Sequence, residues 1–242
     1  MKLLALDSSG LVASVAVIED DTLLGEYTIN HKKTHSQTLL PMLDEVARMI
    51  ELDLSGLDAV AVAAGPGSFT GLRIGSATAK GLGLALDIPL VSVPTTDGLA
   101  YNLYGHRDLV CPIMDARRRQ VYTGIYAFSD AGMEVLLPSS ALGIEEILEK
   151  LEVLGRPVVF LGDGVPVFRE EIEANCKVPF SFAPAHVNRQ RASAIAALGL
   201  ELAKAGKTES AAGHRPEYLR LSQAERERKE REEKRKRSGG AQ

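Results

Sequence analysis

The order of apolar runs and turns in this sequence predicts an α/β protein of two lobes. Three observations carry that reading. The chain opens with three short apolar runs separated by tight turns. Helical and strand-like runs then alternate, and a second, looser pass through the same order begins after residue 104. A length of 242 residues suffices for one large domain or two small lobes. The expected division is residues 1–104 for the first lobe, 105–221 for the second, and a charged tail over 222–242.

Residues 2–6 read as a short buried strand, and Asp7-Ser8-Ser9-Gly10 is turn chemistry. Residues 12–18 and 22–29 read as two more strands around Glu19-Asp20-Asp21, completing an antiparallel meander. Leu39, Leu43, Val46, Ala47 and Ile50 recur at helical spacing, and Met42 and Met49 add a second apolar ridge. Pro41 fits a first turn or a kink, which leaves the start of this helix open. Residues 58–64 form a continuous apolar run, as in a strand buried on both faces. A glycine-rich loop over 65–71 leads into a helix reaching about Leu86, and residues 89–93 read as the next strand. In the second pass, 109–115 and 121–128 read as a hairpin around 116–120, 144–154 as a helix and 158–161 as a short strand. A helix over 191–205 is stopped by Gly206.

Composition narrows the class. Hydrophobic residues at 45% and charged residues at 25% exclude disorder for most of the chain. A net charge of −4 excludes a wholly basic nucleic-acid glove. Two cysteines, Cys111 and Cys176, are too few for a disulfide scaffold or a cysteine-ligated zinc. The opening MKLLALDSSG lacks the apolar length of a signal peptide, and no run reaches a membrane span, so a cytoplasmic protein with no membrane partner is expected. The tail differs: residues 225–237 are all charged, eight Lys/Arg against five Glu. That pattern suits either a solvated appendage or phosphate contact with RNA.

Several constellations could carry chemistry. Asp7, Ser8 and Ser9 sit in a turn between strands, where an acid and nearby N–H groups can hold a metal or a phosphate; the alternative is an ordinary hairpin turn. The loop over 65–71 precedes a helix whose N-terminus offers N–H groups to an anion, but it is neither a Walker loop nor a dinucleotide fingerprint. The following helix is rich in small residues: Gly75, Ala79 and Gly83 on one side, Ala77, Gly81 and Ala85 on another. Glycine inside a helix costs up to about 1 kcal/mol relative to alanine, so close packing is expected, within the lobe or against a partner. A partner surface on the two first-lobe helices is the reading adopted: Leu39, Met42, Leu43, Val46 and Met49 on the first, and Gly75, Ala79 and Gly83 on the second. His31 and His35 share H-x-x-x-H spacing but lack the carboxylate of a zinc protease, which favours a capping or surface role. No nucleophile-elbow signature is present.

These segments together resemble one family. LLALDSS (3–9), HSQTLLPML (35–43), AAGPGSFTGLRIG (63–75), DARRRQVY (115–122) and PEYLRLSQAE (216–225) are similar to the TsaB (YeaZ) family, over nearly the whole chain up to the tail. The resemblance implies a two-lobed actin-like, sugar-kinase-like fold, each lobe a mixed sheet with flanking helices. It implies a non-catalytic scaffold that dimerises alone and works beside TsaD, a catalytic paralogue, and TsaE, a small ATPase. Together they transfer threonylcarbamoyl to a tRNA adenosine, so tRNA is met through the complex. The TsaD family carries two metal-ligating histidines after the strand equivalent to 89–93; here Thr95 and Leu99 stand at those positions, and no metal or other cofactor is expected. Fold relatives that bind ATP favour Asp-x-Gly-Gly in the second phosphate loop, where this chain reads Asp115-Ala116-Arg117-Arg118. Asp7, Ser8 and Ser9 then become a vestigial phosphate loop, while Gly162-Asp163-Gly164 retains the shape of an adenosine turn. The alternative reading is an ATP-dependent phosphotransferase or a glycoprotease-like hydrolase of the same fold.

Overall fold

The structure is a computed structural model and describes residues 1–31 and 34–220. The charged tail read at 222–242 lies outside the described residues. Strands β1 (Lys2–Asp7), β2 (Ala13–Glu19) and β3 (Thr22–Ile29) form the expected meander. Helix α1 (His35–Met49) leads through a 3-10 turn to β4 (Ala59–Gly65), then α2 (Phe69–Leu86) and β5 (Leu90–Pro94). Strands β1, β4 and β5 pair in parallel, giving the order β3-β2-β1-β4-β5.

A short helix α3 (Thr95–Tyr101) leads to the second lobe. There β6 (Leu109–Asp115), β7 (Gln120–Ser129) and β8 (Gly132–Gly143) make a second meander. Helix α4 (Ile144–Leu154), β9 (Val158–Leu161), α5 (Val165–Asn175) and β10 (Phe180–Phe182) follow. The sheet order is β10-β9-β6-β7-β8, with β6, β9 and β10 parallel. Read from the other edge, this is the order of the first sheet, so the two lobes repeat one topology.

Strand alternation sets the layers. In the first lobe Leu4, Leu6, Val60 and Val62 face Leu39, Met42, Leu43 and Val46 of α1 and Ala79 of α2. Leu3, Ala5, Ala61, Val91 and Val93 point to the opposite face, which is covered by α6 (Ala192–Lys204) through Ile195, Ala196 and Ala203. In the second lobe α4 and α5 cover one face of the sheet, while Leu99 and Ala100 of α3 pack on the other with Val110, Met114 and Tyr126.

The expected division is therefore corrected at its far end. The sheets change over near residue 104, but α6 belongs to the core of the first lobe, and residues beyond it stay there: Leu90 and Glu209 exchange two backbone hydrogen bonds of 2.9 Å. The residues read as 105–221 thus supply cover to both sheets. Pro41 lies inside α1 rather than in its first turn; it sits on the exposed side, where water can serve the carbonyl that loses its partner. Among the described residues no helix is long and apolar enough to cross a membrane.

Candidate functional site

A cleft of about 650 Å³ opens between the lobes. Its walls include the three turns singled out in the sequence, Ser9 and Gly10 after β1, Asp115–Arg117 after β6 and Asp163 after β9, together with the 67–70 loop and residues 217–220. The fold brings them together because β1 and β6 are the central strands of their sheets and β9 lies parallel beside β6.

The first turn is spent on internal bonds. Asp7 is 1% exposed, and its Oδ1 accepts from the Ser9 amide at 2.9 Å and the Ser9 hydroxyl at 2.6 Å. Burial pushes its pKa up to about 6; the Ser9 hydrogen bonds and the charge of His35 act the other way. The Ser8 hydroxyl donates to the Gly71 carbonyl at 2.9 Å, and the Ser68 amide donates to the Ser9 carbonyl at 2.7 Å. A Cβ at Gly67 or Gly71 would collide with the carbonyls of Ser9 or Ser8, and one at Gly75 would lie 2.6 Å from the Ser8 hydroxyl. The glycines of the 65–71 loop thus permit the loop and α2 to press onto the β1–β2 turn. At the start of α2 the Ser68 side chain caps the Gly71 amide at 3.3 Å, so the loop read as an anion cradle is largely a packing device.

The second turn carries Arg117, Arg118 and Arg119 in left-handed conformations, with φ of 65°, 57° and 58°. Arg117 pairs with Asp115 at 3.2 Å, and Arg119 with Glu145 and Glu171 at 2.8 and 3.0 Å. The third turn packs against β6: a Cβ on Gly164 would stand 2.8 Å from the Ile113 carbonyl. Burial raises the Asp163 pKa, and its buried Oδ1 has no partner among the described residues. His35 is engaged with the backbone of the first turn. Its Nε2 is 2.8 Å from the Gly10 carbonyl and ties the start of α1 to the first turn, while His31 is exposed.

The helix residues read as a partner surface require correction. Leu39, Met42, Leu43 and Val46 are at most 6% exposed and belong to the core of the first lobe; Met49 alone is open, at 68%. Gly75, Ala79 and Gly83 also face inward, Gly83 against Ala211 and Leu90. The outward stripe of α2 is the other one, Ala77, Gly81 and Ala85, beside exposed Leu84. A Cβ on Gly81 would have nothing within 4 Å among the described residues. Thr95 and Leu99 of α3 are both buried, and among the described residues Thr95 Oγ1 has no partner.

Sequence reading missed two groups. Tyr126 bonds the Asp97 carboxylate at 2.7 Å between the lobes, where burial raises the pKa of Asp97. The second group is a Ser76–His214–Glu209 chain: His214 Nε2 meets the Ser76 hydroxyl, and Nδ1 lies 2.9 Å from Glu209. The residues are 138 positions apart, with no local signature to find them. Ser76 and His214 are 5% and 1% exposed, and neither lines this cleft or the shallower one beside Tyr104.

Known proteins match this geometry closely. The family model described as TsaD, tRNA N6-adenosine threonylcarbamoyltransferase, matches residues 22–228. The tRNA threonylcarbamoyladenosine biosynthesis protein TsaB of Bacillus subtilis is 36% identical over 93% of this chain and 96% of its own. The Escherichia coli protein of the same name is 30% identical over 68% and 72%. The solved structure of YeaZ from Pseudomonas aeruginosa superposes with a TM-score of 0.78 at 27% identity, covering 90% of this chain and 99% of that one. An inorganic polyphosphate/ATP-glucomannokinase from Arthrobacter, at 12% identity and a TM-score of 0.52 over 84% and 99%, shares the fold alone. The fold is the two-lobed actin-like fold found in sugar kinases.

Proposed function

The chain belongs to the TsaB family of tRNA threonylcarbamoyladenosine biosynthesis proteins, and from that premise we propose that it is the non-catalytic scaffold subunit of the assembly that modifies the tRNA adenosine. Its partners in this reading are a TsaD-type catalytic paralogue and a TsaE-type ATPase, with a homodimer formed when it is alone.

Gly81 carries the proposal. A glycine in the middle of an exposed helix costs up to about 1 kcal/mol against alanine. Among the described residues nothing offsets that cost, since none of their atoms would contact a Cβ there. With Ala77 and Ala85 it forms a stripe that lets a partner helix approach to backbone distance, flanked by Leu84, 61% exposed, and Leu40 of α1, 54% exposed. A paralogue built on the same lobe has equivalent helices to offer. The non-catalytic assignment is supported by the first turn, whose polar groups are committed internally, and by bulky arginines in the second.

Gly81→Arg tests the surface. The variant should fold, because the site is open, yet fail to co-purify with a TsaD-type transferase or to support tRNA modification in the reconstituted mixture. Normal capture by a folded Gly81→Arg would place the partner elsewhere. Turnover of ATP by the isolated chain near even a slow enzyme's rate, on the order of 1 per second, would overturn the scaffold assignment. The hydrolase alternative gains a nucleophile–base–acid chain at Ser76, but Ser76 and His214 are buried and line neither of the two clefts described.

A further inference from the structure

The C-terminal segment beyond α6 runs up the first lobe to the mouth of the cleft. The Lys80 ammonium donates to the carbonyls of Ala212 and His214, both at 3.0 Å, and the Glu217 amide donates to the Ala64 carbonyl at 2.7 Å. Tyr218 then packs on Phe69, ring centroids 4.8 Å apart, and its hydroxyl accepts from Arg73 Nε at 3.3 Å. Two residues later the direction of contact changes. The Arg220 guanidinium crosses to the second lobe and donates to the carbonyl of Ala116 in the β6–β7 turn, with the Arg117 carbonyl 3.5 Å from the same nitrogen. Residues 217–220 thereby line the cleft and span its mouth.

We propose that residues 217–220 are an interlobe clasp, anchored on the first lobe and closing the cleft when Arg220 grips the β6–β7 turn. Three observations converge on it. The anchor is multiple and the grip single, so the grip is the step that opens. Arg220 meets carbonyl oxygens and no carboxylate among the described residues, so the grip is a directional hydrogen bond, charged on the donor side alone, and not an ion pair. Gly65 is fitted to the clasp: its φ is +127°, and a Cβ there would collide with the Glu217 carbonyl. The clasp closes the mouth of the cleft, on top of the hinge-side contacts that Tyr126 and Asp97 make between the lobes.

The test is a distance measurement between the lobes of the full chain by pulsed electron resonance. Spin labels go on Asp44→Cys and Val153→Cys, exposed on different lobes, in a Cys176→Ser background; Cys111 is buried. The parent should give one narrow distance. Arg220→Ala should lose it for a broader, shifted distribution, and Arg220→Lys, which can still reach a carbonyl, should retain most of it. Tyr218→Ala attacks the anchor and should broaden the distribution as well, which provides a second reading if Arg220→Ala folds poorly by circular dichroism. Distributions for folded Arg220→Ala and Tyr218→Ala that superpose on the parent would overturn the clasp.

Discussion

Asp7 shows how one residue can carry a cost that its neighbours do not remove. Its carboxyl is buried, and its pKa rises from 3.8 to about 6. A raised acid binds its proton more tightly in the folded state, so folding stability falls as pH climbs through that window and the penalty is complete above about pH 6. The shift corresponds to about 3 kcal/mol at 1.36 kcal/mol per unit. Asparagine would keep the oxygen that Ser9 bonds while discarding the charge. Asp7→Asn should therefore raise unfolding stability at pH 7 by about 1–3 kcal/mol and change little at pH 4, measured by denaturant titration at both values. Equal destabilisation at both pH values would show that the carboxylate itself is required. Met42 makes the opposite lesson. The sequence places it beside Leu39, Leu43 and Val46 on an apolar band, and nothing local distinguishes a core band from a docking band. The structure makes it core, at 2% exposure. Met42→Glu should cost several kcal/mol and unfold the lobe rather than dissociate an intact one. A folded variant with an unchanged melting temperature would contradict its burial.

At the scale of elements, strong periodicity and turn chemistry were legible, and pairing across the chain was not. The meander and the strands β6 and β9 stand where apolar runs and turn residues put them. β8 escaped because Pro138 and the Ser139-Ser140 pair break its pattern; Pro is tolerated there because, among the described residues, β8 lies at an edge and pairs with β7 alone. The two small-residue stripes of α2 are equivalent in sequence, and only the packing of Gly75 on Ser8 and Gly83 on Ala211 tells inner from outer. Helix α6 depends on a distant acid. Its N-cap, Arg191, supplies no side-chain cap. Glu26 of β3 does so instead, accepting from the Ser193 amide at 3.1 Å and hydroxyl at 2.7 Å while pairing with Arg191. Burial opposes the charge on Glu26, but the bonds from Arg191 and Ser193 outweigh it, and its pKa is lowered. A lowered acid stabilises the fold above its unfolded pKa, and that contribution disappears as pH falls through the folded value. Glu26→Gln should cost about 1–3 kcal/mol at pH 7, and the difference from the parent should shrink as pH falls below about 4.5. A difference constant from pH 7 to pH 3 would remove the charge from the explanation.

Across the whole molecule, the repeated topology invites the view of two independent halves, and the path of the C-terminal segment denies it. Helix α6 follows the second sheet in sequence yet completes the first lobe. It places Ile195, Ala196 and Ala203 against Leu3, Ala61, Val91 and Val93. That exchange could not be read locally: the 191–205 helix was legible from its pattern, but its destination depends on which sheet face is left bare. Covering a Leu- or Val-sized side chain stabilises by about 1.5–3 kcal/mol, and a domain's whole stability is about 5–15 kcal/mol, so an uncovered sheet face is not affordable. Residues 1–104 expressed alone should therefore aggregate or remain unfolded, although they contain every strand of the first sheet. Supplying residues 105–242 in trans should restore a folded complex, because α6 and the strands it covers are then both present. The measurement is circular dichroism and a thermal melt of the fragment alone and of the mixture. A cooperative melt from the 1–104 fragment by itself would show that α6 is dispensable to the first lobe and that the two halves fold separately.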